Sequence, residues 1–181
     1  MPDNRYNTGS LQLQERFGTR RSAERGQYRL AFTAEDRAFV ERCSFFFLAT
    51  VDADGSPDCS YKGGPPGFVR VIAEDTLAFP DYKGNGQFRS LGNILVSPQV
   101  ALLFVDFEHP GRRRVNGVAS VHAEDPLLAD FPGAQLIVRV QASEIFGNCS
   151  RFIQRVQPAA PALKTSPPVP DPAAANGAPR P

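Results

Sequence analysis

The stretch SFFFLATVDADGSPD, residues 44–58, decides the fold: an apolar run ends in Asp54-Gly55, a pair that favours a tight turn, and Pro57 to Tyr61 can return as the hairpin partner. Downstream, Gly63-Gly64-Pro65-Pro66-Gly67 interrupts the extended texture and predicts a loop or bulge. FVRVI then reads as a strand, Glu74-Asp75 as a turn and TLAFPDY as a further strand. Gly84-Asn85-Gly86 breaks the pattern, and QFRSLGNILVS follows with Phe88, Leu91, Ile94 and Leu95 at helical spacing before Pro98. VALLFVDF is a nearly continuous apolar run, the mark of a strand covered on both faces. RRRVNGVASVHA alternates with period two, and AQLIVRVQASEIF is a last strand after a short helix or loop over 125–132. Upstream, Thr33 and Asp36 form a capping-box pair for a helix ending near Cys43, and Ser10 precedes a short amphipathic helix carrying Leu11, Leu13 and Phe17. Six or seven strands in series, without regular helical crossovers, predict a mainly β protein built as an antiparallel barrel.

The 181 residues, 41% of them hydrophobic, suit one domain with one core. Twenty basic residues against nineteen acidic leave a charge of +1, which gives no bulk attraction to nucleic acid or to an anionic membrane. That balance counts against a surface reading single strands through Tyr61, Phe68, Phe79 and Tyr82. Of seventeen prolines, eight lie from Pro158 onward. The expected organisation is therefore an extension with a short helix over 1–32, a barrel over 33–155, and a disordered Pro/Ala-rich tail over 156–181. No apolar run approaches the ~20 residues of a spanning helix, and MPDNRYNTGS lacks the apolar region of a signal peptide, so the expected address is the cytoplasm. Cys43, Cys59 and Cys149 are odd in number and widely spaced, with only His109 and His122 to assist them. They predict reduced thiols, and neither a disulfide framework nor a metal site.

Chemistry-bearing patterns are few. FPDYKGNGQFRS joins a strand end, a glycine loop and a helix start carrying Lys83, Arg89 and Ser90, and these are the parts that hold a phosphate monoester. The strand starting at Arg112 places Arg112, Arg114 and Asn116 on one face, which suits either a solvated patch or an anion site. Its other face, Val115, Gly117 and Ala119, is small and apolar as a barrel interior should be. There is no dinucleotide fingerprint, Walker sequence or nucleophile elbow, so any demanding chemistry would fall to a bound cofactor.

In their order, FFLATVDADGSPDCS, TLAFPDY, FRSLGNILVSPQVALLFVDF and RRRVNGVASV resemble the FMN-binding split-barrel proteins of the pyridoxamine 5'-phosphate oxidase family, over about residues 33 to 153. The resemblance implies a dimeric split barrel with FMN at the subunit interface. It also implies oxidoreductase activity by hydride transfer through that flavin on a small-molecule substrate; the alternative is a non-catalytic flavin or haem binder with a stress-related role on the same fold. F420, FAD and haem are the alternative cofactors. Counting back from Pro98, Arg89 and Ser90 fall on the family's phosphate-binding Arg-Lys pair, with the lysine replaced and the preceding loop, which carries Asn85, lengthened. Phe79, Pro80, Asp81 and Tyr82 match the strand end along the flavin, Arg112 a glutamine near the ring, and Arg114 the Arg of Arg-Val-x-Gly. Lys62 and Arg70 compete for a phosphate or ribityl contact. The oxidase's Trp-rich C-terminal substrate segment has no counterpart among these residues, which contain no Trp, so the resemblance implies a relative of the oxidase with a different substrate.

Overall fold

The computed structural model describes residues 6–147, 149 and 151–156; the tail expected over 156–181 lies, from residue 157 on, outside them. Seven strands form one antiparallel sheet in the order β2-β1-β5-β6-β7-β4-β3. They are β1 (Phe45–Val51), β2 (Pro57–Gly63), β3 (Arg70–Val71), β4 (Thr76–Tyr82), β5 (Gln99–Asp106), β6 (Gly111–His122) and β7 (Ala134–Gly147). The opening hairpin forms as read. Phe47 pairs with Tyr61, Gly55 turns the corner at φ +85°, and Asp52 Oδ1 accepts from the amides of Asp54 and Ser56.

Curling closes the sheet around an aromatic core. Phe46 of β1 meets Phe79 of β4 at 4.9 Å and Phe104 of β5 at 5.0 Å between ring centroids, so the two halves of the sheet face each other. Closure is incomplete, because β3 is only two residues long and covers only one end of β4. The open end of β4 carries Pro80, which has no amide proton to offer another strand. A slit remains between β4 and β2, the other edge, and Lys62 of β2 reaches across it to Asp81 of β4 at 3.7 Å.

Helix α3 (Ala34–Arg42) caps one end of the barrel with the capping box read from the sequence: Thr33 Oγ1 accepts from the Asp36 amide, and Asp36 accepts from the Thr33 amide. Asp36 also takes Arg29 and Arg113 in charge-assisted bonds of 2.7 and 2.9 Å while only 1% exposed. Helix α4 (Arg89–Val96) buries Leu91 and Ile94 and ties to β1 through Asn93 Nδ2, which donates to Thr50 Oγ1.

Three expectations are corrected. The helix read from Ser10 is two helices, α1 (Thr8–Arg16), capped by Asn7, and α2 (Arg20–Glu24); Gly18 at φ +64° parts them, and neither buries a residue. FVRVI pairs only at Arg70 and Val71, and α3 covers the outer edge of this short strand: Glu41 accepts the Val71 amide and Arg37 donates to the Val71 carbonyl. The third concerns β5, which is covered on one face only. Val100, Leu102 and Phe104 are buried, whereas Ala101 is exposed and Leu103 and Val105 are half-buried. Among the described residues, no helix is long and apolar enough to cross a membrane.

Candidate functional site

The slit is a groove of about 470 Å³, a size that suits a small molecule or cofactor. Its floor follows from the register of the hairpin. Asp58, Ser60 and Lys62 lie opposite Thr50, Leu48 and Phe46, whose side chains point into the barrel, so these three polar residues point inward as well. Inward-facing charges suit an edge strand with no strand beyond it. The far wall is Pro80, Asp81 and Tyr82, and Gln135 holds Asp81 with a 3.0 Å hydrogen bond.

One end of the groove is the start of α4. Phe88 precedes the helix in the left-handed region at φ +47°, a strained state for a bulky residue, and provides no side-chain cap. The first-turn amides of α4 therefore have no intrahelical partner and no cap from Phe88, and the residues that carry them, Arg89, Ser90 and Leu91, line the groove beside the loop of Gly84, Asn85 and Gly86. Arg89 is mostly exposed, with Nε 3.3 Å from Asp58 Oδ1. Ser90 is buried, with Oγ 3.2 Å from Asp58 Oδ2 and 2.9 Å from Ser60 Oγ.

Of the residues singled out from the sequence, Lys62, Pro80, Asp81, Tyr82, Asn85, Arg89 and Ser90 line this one groove. Four do not. Phe79 is wholly buried in the core. Arg70 binds Asp130 at 2.6 Å and stacks over Phe131, so of the two competing cations only Lys62 faces the groove. Arg112 and Arg114 stand on the outer face of β6, where Arg114 lies over the Phe146 ring. The Nε of Arg112 is buried and finds no hydrogen-bond partner among the described residues. Sequence reasoning passed over Asp58, Ser60 and Gln135. For the first two, the available signal was their alternation with Lys62 on one face of the hairpin.

Other candidates sort by position. Phe68 and Phe79 are buried, which removes two of the four aromatics suggested for stacking bases. Cys43 is buried, and burial, with the nearby Asp106 charge, pushes its thiol up to about 11, so it is inert at neutral pH. Cys59 and Cys149 are free and exposed, and Cys59 is on the groove wall. Both histidines stand away from the groove: His109 beside Asp106, and His122 with Nε2 2.7 Å from Ser120 Oγ. Among the described residues, no group of His, Cys, Asp and Glu is placed to hold a metal.

Comparison with known proteins agrees with this architecture. A family model described as pyridoxamine 5'-phosphate oxidase matches residues 32–164. A candidate pyridoxamine 5'-phosphate oxidase from Lactobacillus delbrueckii is 26% identical, with a TM-score of 0.53 over 65% of this chain and 95% of its own. HupZ of Group A Streptococcus is 20% identical, with a TM-score of 0.53 over 70% of this chain and 99% of its own. No protein of curated function matches the sequence.

Proposed function

The chain belongs to the pyridoxamine 5'-phosphate oxidase family, and from that premise we propose that it is a flavoprotein, holding FMN in the slit between β2 and β4 and acting as an oxidoreductase on a small substrate. The observation that carries this reading is the uncapped start of α4 facing a cofactor-sized groove with Arg89 at its rim. Amides at a helix N-terminus, a guanidinium and the side chain of Asn85 offer a phosphate monoester donors of the right kind. Tyr82 and the backbone at Pro80 provide a flat wall for a ring system, and Lys62 and Ser60 offer polar contacts between the two ends. The residues present thus fit the group.

Bound there, FMN would supply hydride chemistry that the side chains of the groove cannot supply. The protein's share is to bind and orient. Arg89 and the α4 amides fix one end, and Tyr82 sets the plane of the other. The wall of Phe68 and Leu91 keeps water from the deep side of the groove, since both are buried.

The second element of the proposal is a homodimer with the site at its interface. The outer face of β1 and β5 displays Phe47, Ala101 and Leu103, and Tyr61 of β2 extends it at 62% exposure. This apolar face continues from the groove wall at Cys59 and Tyr61 to Arg112, whose buried Nε has no hydrogen-bond partner among the described residues. A second copy seated on the face would cover it and bring a partner's cation toward the groove, so the occupant proposed is another copy of this chain.

Two experiments test the reading. The purified full chain should be yellow and release FMN, identified by mass spectrometry, rather than F420, FAD or haem. Arg89→Ala should weaken FMN binding by about 10- to 100-fold, the value of a hydrogen bond to a charged group, while Arg21→Ala on α2 leaves it unchanged. A colourless protein that takes up no added FMN would end the flavin reading. For the dimer, light scattering should give twice the chain mass of 19.7 kDa. Phe47→Asp should return the mass to one chain, and a wild-type protein already at 19.7 kDa would exclude the interface.

A further inference from the structure

Both cations that face the groove are already countered by carboxylates in the same groove: Lys62 by Asp81 and Arg89 by Asp58. The second pair has a particular shape. Asp58 Oδ1 lies 3.3 Å from Arg89 Nε and its Oδ2 3.2 Å from Ser90 Oγ, so one carboxylate bridges the first two residues of α4. The first turn of that helix has no acidic residue of its own. Asp58, arriving from β2, therefore supplies the negative charge that a helix N-terminus attracts, and it holds the two side chains an incoming phosphate would use. The partners differ in freedom. Arg89 is 71% exposed and can swing, whereas Asp58 is 20% exposed and fixed by its strand.

We infer that Asp58 is a specificity-determining residue: an internal anion in the phosphate seat, which reduces the advantage the groove gives a phosphorylated ligand over the same ligand without its phosphate. The inference rests on the flavin reading for the identity of that ligand, but not for the seat itself. A phosphate entering the turn of α4 must draw Arg89 away from Asp58 and then lie near a carboxylate of like charge. Both effects lower affinity for FMN, and neither bears on riboflavin, which has no phosphate. Substituting Asn keeps the size of the side chain and an acceptor for Ser90 Oγ while removing the charge, so it separates competition from architecture.

The test measures binding of FMN, riboflavin and inorganic phosphate to the full chain and to Asp58→Asn, the flavins by fluorescence quenching and phosphate by ³¹P line broadening. Asp58→Asn should bind FMN and phosphate about tenfold more tightly, the effect of a single nearby like charge on a partly solvated anion, and leave riboflavin within about twofold. Asp58→Ser, which also lacks the charge, should do the same if the Asn variant unfolds. Unchanged or weaker binding of FMN and phosphate in these variants overturns the assignment of Asp58 and leaves the flavin reading standing. Tighter phosphate binding with no flavin bound to either protein refutes the flavin reading and upholds Asp58 as the anion in the seat.

Discussion

Asp36→Ala should unfold the barrel or lower its stability by about 3–5 kcal/mol, the cost of breaking a buried ion pair from one side. Asp36 is 1% exposed and accepts from Arg29 Nη2 at 2.7 Å, Arg113 Nε at 2.9 Å and the Thr33 hydroxyl at 2.9 Å. Removing it leaves two guanidiniums without their shared anion at the junction of the N-terminal segment, α3 and β6. It also deletes the reciprocal half of the α3 cap. The loss is large against the 5–15 kcal/mol of a typical domain. Glu35 offers the comparison: it also bonds Arg113, at 2.6 Å, but is 81% exposed, and Glu35→Ala should cost at most about 1 kcal/mol. Chemical denaturation of the two variants checks the contrast.

The same carboxylate gives a pH dependence whose sign is fixed. Burial alone would raise the Asp36 carboxyl, but the bonds from Thr33, Arg113 and Arg29 outweigh it and hold the group below the usual 3.8. A depressed carboxylate contributes stability that is present above its unfolded value and lost as pH falls through its folded one. The Asp36 contribution should therefore be complete at neutral pH and fade only below about pH 4. Asp36→Asn should lack that part of the acid transition, read as a flatter melting temperature against pH.

This junction marks where the sequence was legible and where it was not. Thr33 and Asp36 are three residues apart, and local spacing is enough to recognise a capping box. That Asp36 also receives Arg113, 77 residues away, depends on how the sheet curls, which no local pattern encodes. The hairpin of β1 and β2 was readable because turn chemistry and apolar run adjoin. Strand β5 misled because an uninterrupted apolar run looks alike whether its second face is covered by the same chain or left bare, as Ala101 is. The groove was half legible. Arg89 and Asn85 stood out through the glycine loop and helix start, but Asp58 and Ser60 lie in a strand whose polar alternation has meaning only once β2 is an edge bordering a slit. Arg70 was indistinguishable from Lys62 until Asp130 and Phe131 were seen to hold it elsewhere.

Gly117→Ala should be the most damaging glycine-to-alanine change among the described residues, at about 3 kcal/mol or more, the top of the range for overpacking. Strand β6 meets β7 there at a bulge: Asn116 pairs with Glu144 and Gly117 with Ala142, so Ser143 has no opposite and turns its hydroxyl to the Asn116 carbonyl. The strands come so close that a methyl group on Gly117 would lie 2.9 Å from the carbonyl carbon of Gln141 and closer still to its oxygen. Those atoms are backbone, within the long β6–β7 ladder, and relief requires parting the two strands on which Val115, Ala119 and Val140 of the core depend. Gly92 in α4 offers the opposite case. Nothing lies within 4 Å of a methyl placed there, and Gly92→Ala should stabilise the protein by roughly 0.5–1 kcal/mol through helix propensity. Thermal unfolding of both variants decides the matter. A Gly117→Ala protein that melts with the wild type would mean that the bulge relaxes freely and that the close approach of β6 to β7 does not constrain the barrel.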